Sequence, residues 1–480
     1  MIFDDPSLSL TQCGTLRRVS SGEIADSGIS VGLECLDREL FDFDRAAPRL
    51  FETGAKYARI QTGWNRCEQS RGVYSFEWLD HVVDTLLAGG VQPWFNVGFG
   101  NPLYMEGIRN PAAVGCVPFY FGEETLRAWE NFVTALAEHY RGRIRHWEIW
   151  NEPDVEHFWF PAGRNAADYA RLLRLTAPLI RRAQPGAKIG GCCGCVRPDY
   201  DWQRDFFRSD GPKLLDFFAI HQYKIIPEVQ LGRIVETWKR QFALHGNSGI
   251  EIWMGESGYP SWAPEDHWIG VYRHNAPENQ AKWLLRRYLS DMESGISLTS
   301  FFQMVDLTAK PYQMAEKLQE PSRVARHGLV DGFEYEPKPS HAALSHFAAV
   351  FDCDTVKCPL FCFPETEPIL PKQAQVSKLL EPALRIQTFV RNGWALYVYY
   401  LPEDVQLDVH YFGLNLAVIA DEAPKALKQP VLIDLLSGVV YEVAKGASPH
   451  LFTGLPLTDY PLILTDRRAL GDRIVCSFHA

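Results

Sequence analysis

The sequence predicts an α/β fold, a (β/α)8 TIM barrel followed by a C-terminal β-sandwich. Short apolar runs alternate with amphipathic segments eight times between Ile29 and about residue 350, and repeated βα units imply a parallel sheet. Beyond residue 350 the helical period gives way to short alternating runs. Two of the apolar runs end in a glutamate, Glu152 and Glu256, where strand passes into the kind of loop that carries chemistry.

The predicted barrel strands are Ile29 to Glu34, Tyr57 to Gln61, Val91 to Val97, Ile144 to Trp150, Lys188 to Cys193, Phe217 to His221, Ile250 to Glu256 and Leu298 to Met304. Helices are predicted between them. From Glu123 to Tyr140, residues Leu126, Trp129, Phe132, Val133, Leu136 and Tyr140 share one face, acids stand in the first turn and Gly142 lies just beyond the end, as a capped amphipathic helix requires. A second helix is predicted from Ala166 to Ala183 and is stopped by Pro185-Gly186. Eight such units close into a barrel. An open doubly wound sheet is the other arrangement, but no Gly-x-Gly-x-x-Gly turn follows the first strand. The long polar connections at 98–122, 257–275 and 305–337 fall on the C-terminal face, where barrels do chemistry.

In the last part of the chain, Ala383 to Arg391, Ala395 to Leu401, Val405 to Tyr411, Pro430 to Leu435 and Val439 to Val443 read as antiparallel strands. Ser7 to Leu10 and Thr15 to Val19 also alternate but are too short to fold alone. The expected division is therefore 1–28 as strands joining the sandwich, 29–350 as the barrel and 351–480 as the sandwich.

Of 480 residues, 46% are hydrophobic and 22% charged, ordinary for a globular chain. A formal net charge of -11 without a basic stripe argues against nucleic acid, whose phosphates demand clustered Lys and Arg. The opening MIFDDPSLSLTQCG has two acids and no apolar core, and no segment reaches the roughly 18 uninterrupted apolar residues of a membrane span. A cytoplasmic location is expected, and the eleven cysteines fit reduced thiols there. The run Gly190-Gly191-Cys192-Cys193-Gly194-Cys195 lacks a second ligand pair at loop spacing for a structural zinc, and Cys353, Cys358 and Cys362 form a looser group for which buried thiols are the simpler reading.

His146-Trp147-Glu148-Ile149-Trp150-Asn151-Glu152-Pro153 is an apolar strand that Pro153 forbids from extending, so Glu152 emerges at its tip. About a hundred residues on, Ile250-Glu251-Ile252-Trp253-Met254-Gly255-Glu256 ends in the same way. Two carboxyl groups in a barrel mouth suit glycoside cleavage, where one protonates the departing oxygen and the other attacks the anomeric carbon or activates water. Alone, either glutamate would read as a loop cap or ion-pair residue.

Asn-Glu-Pro at the fourth strand and a glutamate ending the seventh resemble the clan A glycoside hydrolases, and within them family 39, the group of β-xylosidases and α-L-iduronidases. The resemblance implies that Glu152 is the acid/base and Glu256 the nucleophile of a retaining double displacement, with Asn151 bonding the sugar 2-hydroxyl. It implies that Arg59, on the second strand, keeps Glu256 ionised, and that His221 and Tyr223, ending the sixth, lie near it. A retaining pair must stand about 5–5.5 Å apart, with Glu152 largely protonated, which requires unlike surroundings.

Trp64, in the loop after strand two, is a candidate sugar platform, although an indole is as readily core. Asn96, Asn101 and Tyr104 after the third strand, and Gln303 at the eighth, are candidate hydroxyl partners. The eighth strand ends Phe301-Phe302-Gln303-Met304, where many clan A enzymes have a Trp. Trp262, with Tyr259, His267 and Trp268, is an alternative aromatic wall. Arg66, Arg71 and Lys224 are the candidate cations for a uronate. The expected function is a retaining, exo-acting glycosidase on a β-xyloside, β-glucoside or related sugar; an endo-acting or uronic-acid-specific enzyme and a non-catalytic carbohydrate-binding barrel are the alternatives. A metal-dependent barrel hydrolase would need His and Asp at several strand ends, and the first strand lacks His-x-His. A carbohydrate is the expected partner, no cofactor is implied, and a homo-oligomer is admitted.

Overall fold

A computed structural model of the chain describes residues 10–194, 200–263, 275–307, 326–368, 384–402, 405, 412–418, 426–444, 448 and 450–476. Eight parallel strands close into a barrel: Ile29–Gly32, Tyr57–Gln61, Gln92–Val97, His146–Ile149, Lys188–Cys193, Phe217–His221, Glu251–Ser257 and Thr299–Phe301. Closure comes from pairing of the first with the last, Ile29 opposite Thr299. A helix follows each strand, among them Glu123–His139, Ala166–Ala183, Pro277–Ser294 and Pro339–Val350. The Ala166–Ala183 helix begins where Asn165 Oδ1 accepts from the N–H groups of Ala167 and Asp168, satisfying two first-turn donors.

Four strands are shorter than expected: the third begins at Gln92 and the fourth spans only His146–Ile149. The first ends at Gly32 rather than Glu34, and the eighth at Phe301 rather than Met304. Glu34 and Gln303 therefore stand just beyond the ends of the first and eighth strands, although the Leu33 N–H still donates to the Arg59 carbonyl and the Met304 N–H to the Gly32 carbonyl, both at 2.9 Å.

Trp94, Phe217, Trp253 and Leu298 close the N-terminal end of the barrel. The Phe217 and Trp253 rings stack at 4.0 Å, and Trp94 meets Trp253 edge-on at 5.4 Å. The guanidinium of Arg59 lies 5.5 Å from the Trp94 ring, so one buried cation rests on an apolar plug.

The C-terminal strands form an eight-stranded antiparallel sheet and a three-stranded one. Leu10–Leu16 enters the larger sheet between Val439–Val443 and Ile474–Cys476, giving a barrel and sandwich as the fold class predicts. The strand expected at Val405 to Tyr411 lies almost wholly outside the described residues, as do Ser7 to Ser9 and Cys195. No described helix is long and apolar enough to cross a membrane.

The helix Pro277–Ser294 is buried on every side from Asn279 to Asp291, although it carries Lys282, Arg286 and Arg287. Each cation has an acid: Arg286 takes Glu228 with Nε and Nη2 at 2.8 and 2.9 Å, Lys282 reaches Asp459 at 3.0 Å, and Arg287 pairs with Asp291. Asp459 belongs to the sandwich, so the Lys282 ion pair links it to the barrel through this helix.

Candidate active site

Arg59 organises the barrel mouth. Fully buried on the second strand, it donates from Nε and Nη2 to Glu148 Oε2 (2.9 and 2.7 Å). Its Nη1 reaches Glu34 Oε1 (3.2 Å) and Glu256 Oε2 (3.1 Å), and Nη2 also reaches Asn151 Oδ1 (2.8 Å). Asn96 adds an Nδ2 bond to Glu148 Oε2 and another to the Trp150 carbonyl, both 2.8 Å. Burial weakens a cation, but the carboxyl groups of Glu148, Glu34 and Glu256 more than offset this and hold Arg59 charged.

One cation cannot compensate every carboxyl around it. Glu34 is held well above the usual carboxylate range, first by burial and further by Glu256, with Arg59 opposing. Glu152, 8% exposed, is pushed up to about 7, chiefly by burial and further by Glu148, again against Arg59. His221 is pushed down to about 4, mainly by burial, so its imidazole is neutral near neutrality.

Glu152 is aimed by the backbone around it. Trp150 (φ 69°) and Glu152 (φ 43°) are both left-handed, a conformation that costs roughly 1–2 kcal/mol per non-glycine residue and turns the tip of the strand into the mouth. The neighbouring strand must approach closely: a Cβ on Gly194 would meet Val155 Cγ2 at 2.6 Å and Glu152 Cδ at 3.4 Å.

Glu256 is aimed by a bulge. In the seventh strand the register passes from Ile220 opposite Met254 to His221 opposite Glu256, skipping Gly255. A Cβ at Gly255 would lie 2.7 Å from Ala219 Cβ and 3.0 Å from His221 Nε2, so glycine lets the ring pass. Tyr223 donates to Glu256 Oε1 at 2.5 Å.

His221 joins the two carboxyl groups. Its Nδ1 lies 2.8 Å from Glu152 Oε1 and 3.7 Å from Glu256 Oε2. Glu152, His221 and Glu256 each present one atom within 4.8 Å of the others, and Glu148, Cys192 and His221 do the same. These sets are where a cation would be held, but both His221 nitrogens are engaged, Nδ1 by Glu152 and Nε2 by Cys192 Sγ at 3.2 Å.

Of the sequence-predicted residues, Glu152, Glu256, Asn151, Arg59, Asn96, His221 and Tyr223 converge on this cluster. Gln303 is buried at the eighth strand, and its Oε1 has no protein partner among the described residues. Trp262 is 42% exposed with its ring 5.4 Å from the Arg326 guanidinium, while His267 and Trp268 lie outside the described residues.

Trp64 and Asn101 are corrected. Trp64 is completely buried, stacked between Tyr104 and Phe132 at 5.6 and 5.7 Å, with Nε1 donating to Glu68 Oε2 at 2.6 Å. Asn101 donates to the Glu68 carbonyl at 2.9 Å, and Tyr104 donates to Glu68 Oε1. Together these residues brace the loops after strands two and three, since a buried indole N–H needs an acceptor and Glu68 supplies it. Trp64→Ala is therefore expected to lower stability by about 3–5 kcal/mol, read from the denaturant midpoint; a raised KM at unchanged stability would restore the platform reading.

The candidate uronate cations are also committed elsewhere. Arg66 bonds the Leu36 carbonyl and Glu39, Arg71 bonds the Leu103 carbonyl and Glu124, and Lys224 bonds the Val229 carbonyl. Sequence reasoning missed Glu34, Glu148 and Cys192 as members of the cluster. Their signal was a polar residue inside or just beyond an otherwise apolar barrel strand.

A closed barrel with two strand-tip carboxyl groups bridged by a histidine places this chain among proteins similar to the clan A glycoside hydrolases. More narrowly, residues 57–240 match the family described as glycosyl hydrolases family 39. A beta-xylosidase of Geobacillus stearothermophilus is 28% identical over 31% of this chain and 31% of its own length. One from Caldicellulosiruptor saccharolyticus is 27% identical over 36% and 37%. The matches thus span about a third of these curated relatives. A family 39 glycoside hydrolase from Bacteroides cellulosilyticus WH2 shares the fold, with a TM-score of 0.65 at 16% identity over 94% of this chain and 83% of that one.

Proposed function

We propose that this chain is a retaining glycoside hydrolase, exo-acting on a β-xyloside, β-glucoside or related sugar. The observation that carries the reading is the pair itself: Glu152 and Glu256 have carboxyl oxygens within 4.8 Å of one another. Retaining enzymes hold their pair about 5–5.5 Å apart, whereas inverting ones leave room for water at roughly 6.5–9.5 Å. Among candidate glycones, the β-xyloside is favoured by the activity named for both curated relatives.

In this mechanism Glu256 attacks the anomeric carbon, oriented by Arg59 and Tyr223, while Glu152 gives its proton to the departing oxygen. Glu152 then takes a proton from the water that releases the sugar. Asn151 accepts from Arg59 through Oδ1, which leaves its Nδ2 donors for the 2-hydroxyl.

The test is hydrolysis of an aryl-glycoside panel spanning xylose, glucose, galactose, fucose, arabinose and uronic acids, with the anomer of the first product read by NMR. Retention on a neutral sugar is expected; an inverted first product would sink the mechanism. Because Glu152 must be protonated to act as the acid and its pKa is raised to about 7, kcat/KM for substrates with poor leaving groups is expected to fall as pH rises through about 7. Activated substrates, which need little acid help, should show a flatter limb. Equal limbs for both would remove Glu152 from the acid role.

A further inference from the structure

The Cys192-Cys193 pair, unassigned by sequence, puts one thiol behind the carboxyl pair. Cys192 is fully buried at the end of the fifth strand, its Sγ 3.2 Å from His221 Nε2. On the other side of the ring, Nδ1 lies 2.8 Å from Glu152 Oε1. The thiol is held in place through its backbone: the Tyr169 hydroxyl accepts from Cys192 N–H at 3.0 Å and donates to the Ile149 carbonyl at 2.9 Å. Cys192, His221 and Glu152 thus form one chain of contacts from the barrel interior to the mouth. Arg59, Glu148 and Glu256 are the other charged groups facing the imidazole.

A neutral imidazole carries one N–H and one lone pair, and its partners decide which nitrogen holds which. If Nε2–H pointed at sulfur, the Nδ1 lone pair would draw the Glu152 proton onto Oε1, away from the mouth. If instead S–H points at Nε2, then Nδ1–H donates to Oε1, and the acid proton sits on Oε2, free to reach a glycosidic oxygen. Burial holds the Cys192 thiol well above its ordinary pKa, so the S–H donor is present.

We propose that Cys192 is a positioning residue that donates to His221 Nε2, fixes the Nδ1–H tautomer and thereby keeps the Glu152 proton on the oxygen facing the substrate. This rests on Glu152 being the general acid. Serine at 192 preserves the donor, and alanine removes it.

The experiment compares wild type, Cys192→Ser and Cys192→Ala. The His221 tautomer is read from ¹⁵N shifts of histidine-labelled protein, assigned by difference against His221→Asn, and kcat/KM is read from pH 5 to 9 on aryl xylosides with good and poor leaving groups. Thermal midpoints report the fold of each variant. Expected are the Nδ1–H tautomer in wild type and Cys192→Ser, and its loss in Cys192→Ala. Cys192→Ala should also fall about tenfold or more on poor leaving groups, a part of the roughly 10²–10⁴-fold worth of general acid help, and little on good ones, with Cys192→Ser recovering. A Cys192→Ala protein that keeps the Nδ1–H tautomer overturns the proposal whatever its activity. If the tautomer responds as expected but no form cleaves any glycoside, the hydrolase reading fails while the thiol–imidazole bond stands.

Discussion

Glu256→Ala is expected to lose turnover by at least about 10⁴-fold on every substrate, because removing a nucleophile removes the covalent route itself. Glu152→Ala is expected to behave differently. On substrates with poor leaving groups it should lose roughly 10²–10⁴-fold, the usual worth of a positioned acid. On activated aryl glycosides the first step needs no proton, so a rapid burst should precede slow turnover. Azide should then accelerate that turnover, since an anion attacks the glycosyl-enzyme without a general base. The contrast follows from the surroundings: Glu256 takes its hydrogen bonds from Arg59 and Tyr223, whereas Glu152 meets neutral His221 and is pushed up to about 7 by burial. A burst from Glu256→Ala and none from Glu152→Ala would reverse the roles.

Arg59→Ala is expected to lower stability by about 3–5 kcal/mol, the range for stripping a buried charge of its partner. Arg59 bonds Glu34, Glu148, Glu256 and Asn151. Without it, the buried carboxyl groups face one another. The folded pKa values of Glu34 and Glu152, raised by burial in spite of Arg59, would then rise further above the unfolded value of about 4.3. A raised carboxyl pKa means the native state binds more protons than the unfolded one, so stability falls as pH rises above that value. Wild type already shares part of this loss, so the deficit relative to it should be smallest below about pH 7 and grow above that, where Arg59 would let Glu152 and Glu34 ionise and the variant would not, measured as the denaturant midpoint at each pH. Arg59→Lys should recover little, because one ammonium cannot span acceptors that Arg59 reaches from Nε, Nη1 and Nη2. A deficit independent of pH would show that packing on Trp94, rather than charge, is what Arg59 supplies.

Much of the site was legible because strand ends are legible. Pro153 and the Asn-Glu-Pro spacing place Glu152 at a tip, and the parallel pattern at Gly255-Glu256 does the same for its partner. Aromatic loop residues were harder. Trp64 and Trp262 are alike as sequence, yet one is sealed between Tyr104 and Phe132 and the other stands 42% exposed. Nothing local distinguishes an indole facing a cleft from one filling a gap between loops. The helix Pro277–Ser294 shows the same limit, since Lys282, Arg286 and Arg287 look like a solvated face and are buried against Asp459, Glu228 and Asp291.

The sequence by itself determined the eight βα units, four of the antiparallel strands that follow (Arg385–Arg391, Trp394–Tyr400, Pro430–Asp434 and Val439–Val443) and the two glutamates at strand tips, because periodicity and proline act over a few residues of chain. It did not determine the strands Thr355–Lys357, Cys362–Pro368, Phe412–Val418, Leu451–Leu457, Leu462–Asp466 and Ile474–Cys476. Only the tertiary structure decided that Glu34, Glu148 and Cys192 join them, that His221 lies between the two carboxyl groups, and that Gly255 makes the bulge that aims Glu256. Those relations join residues far apart in the chain, and they come into being when the first barrel strand pairs with the last and the buried charges must find partners inside a closed wall.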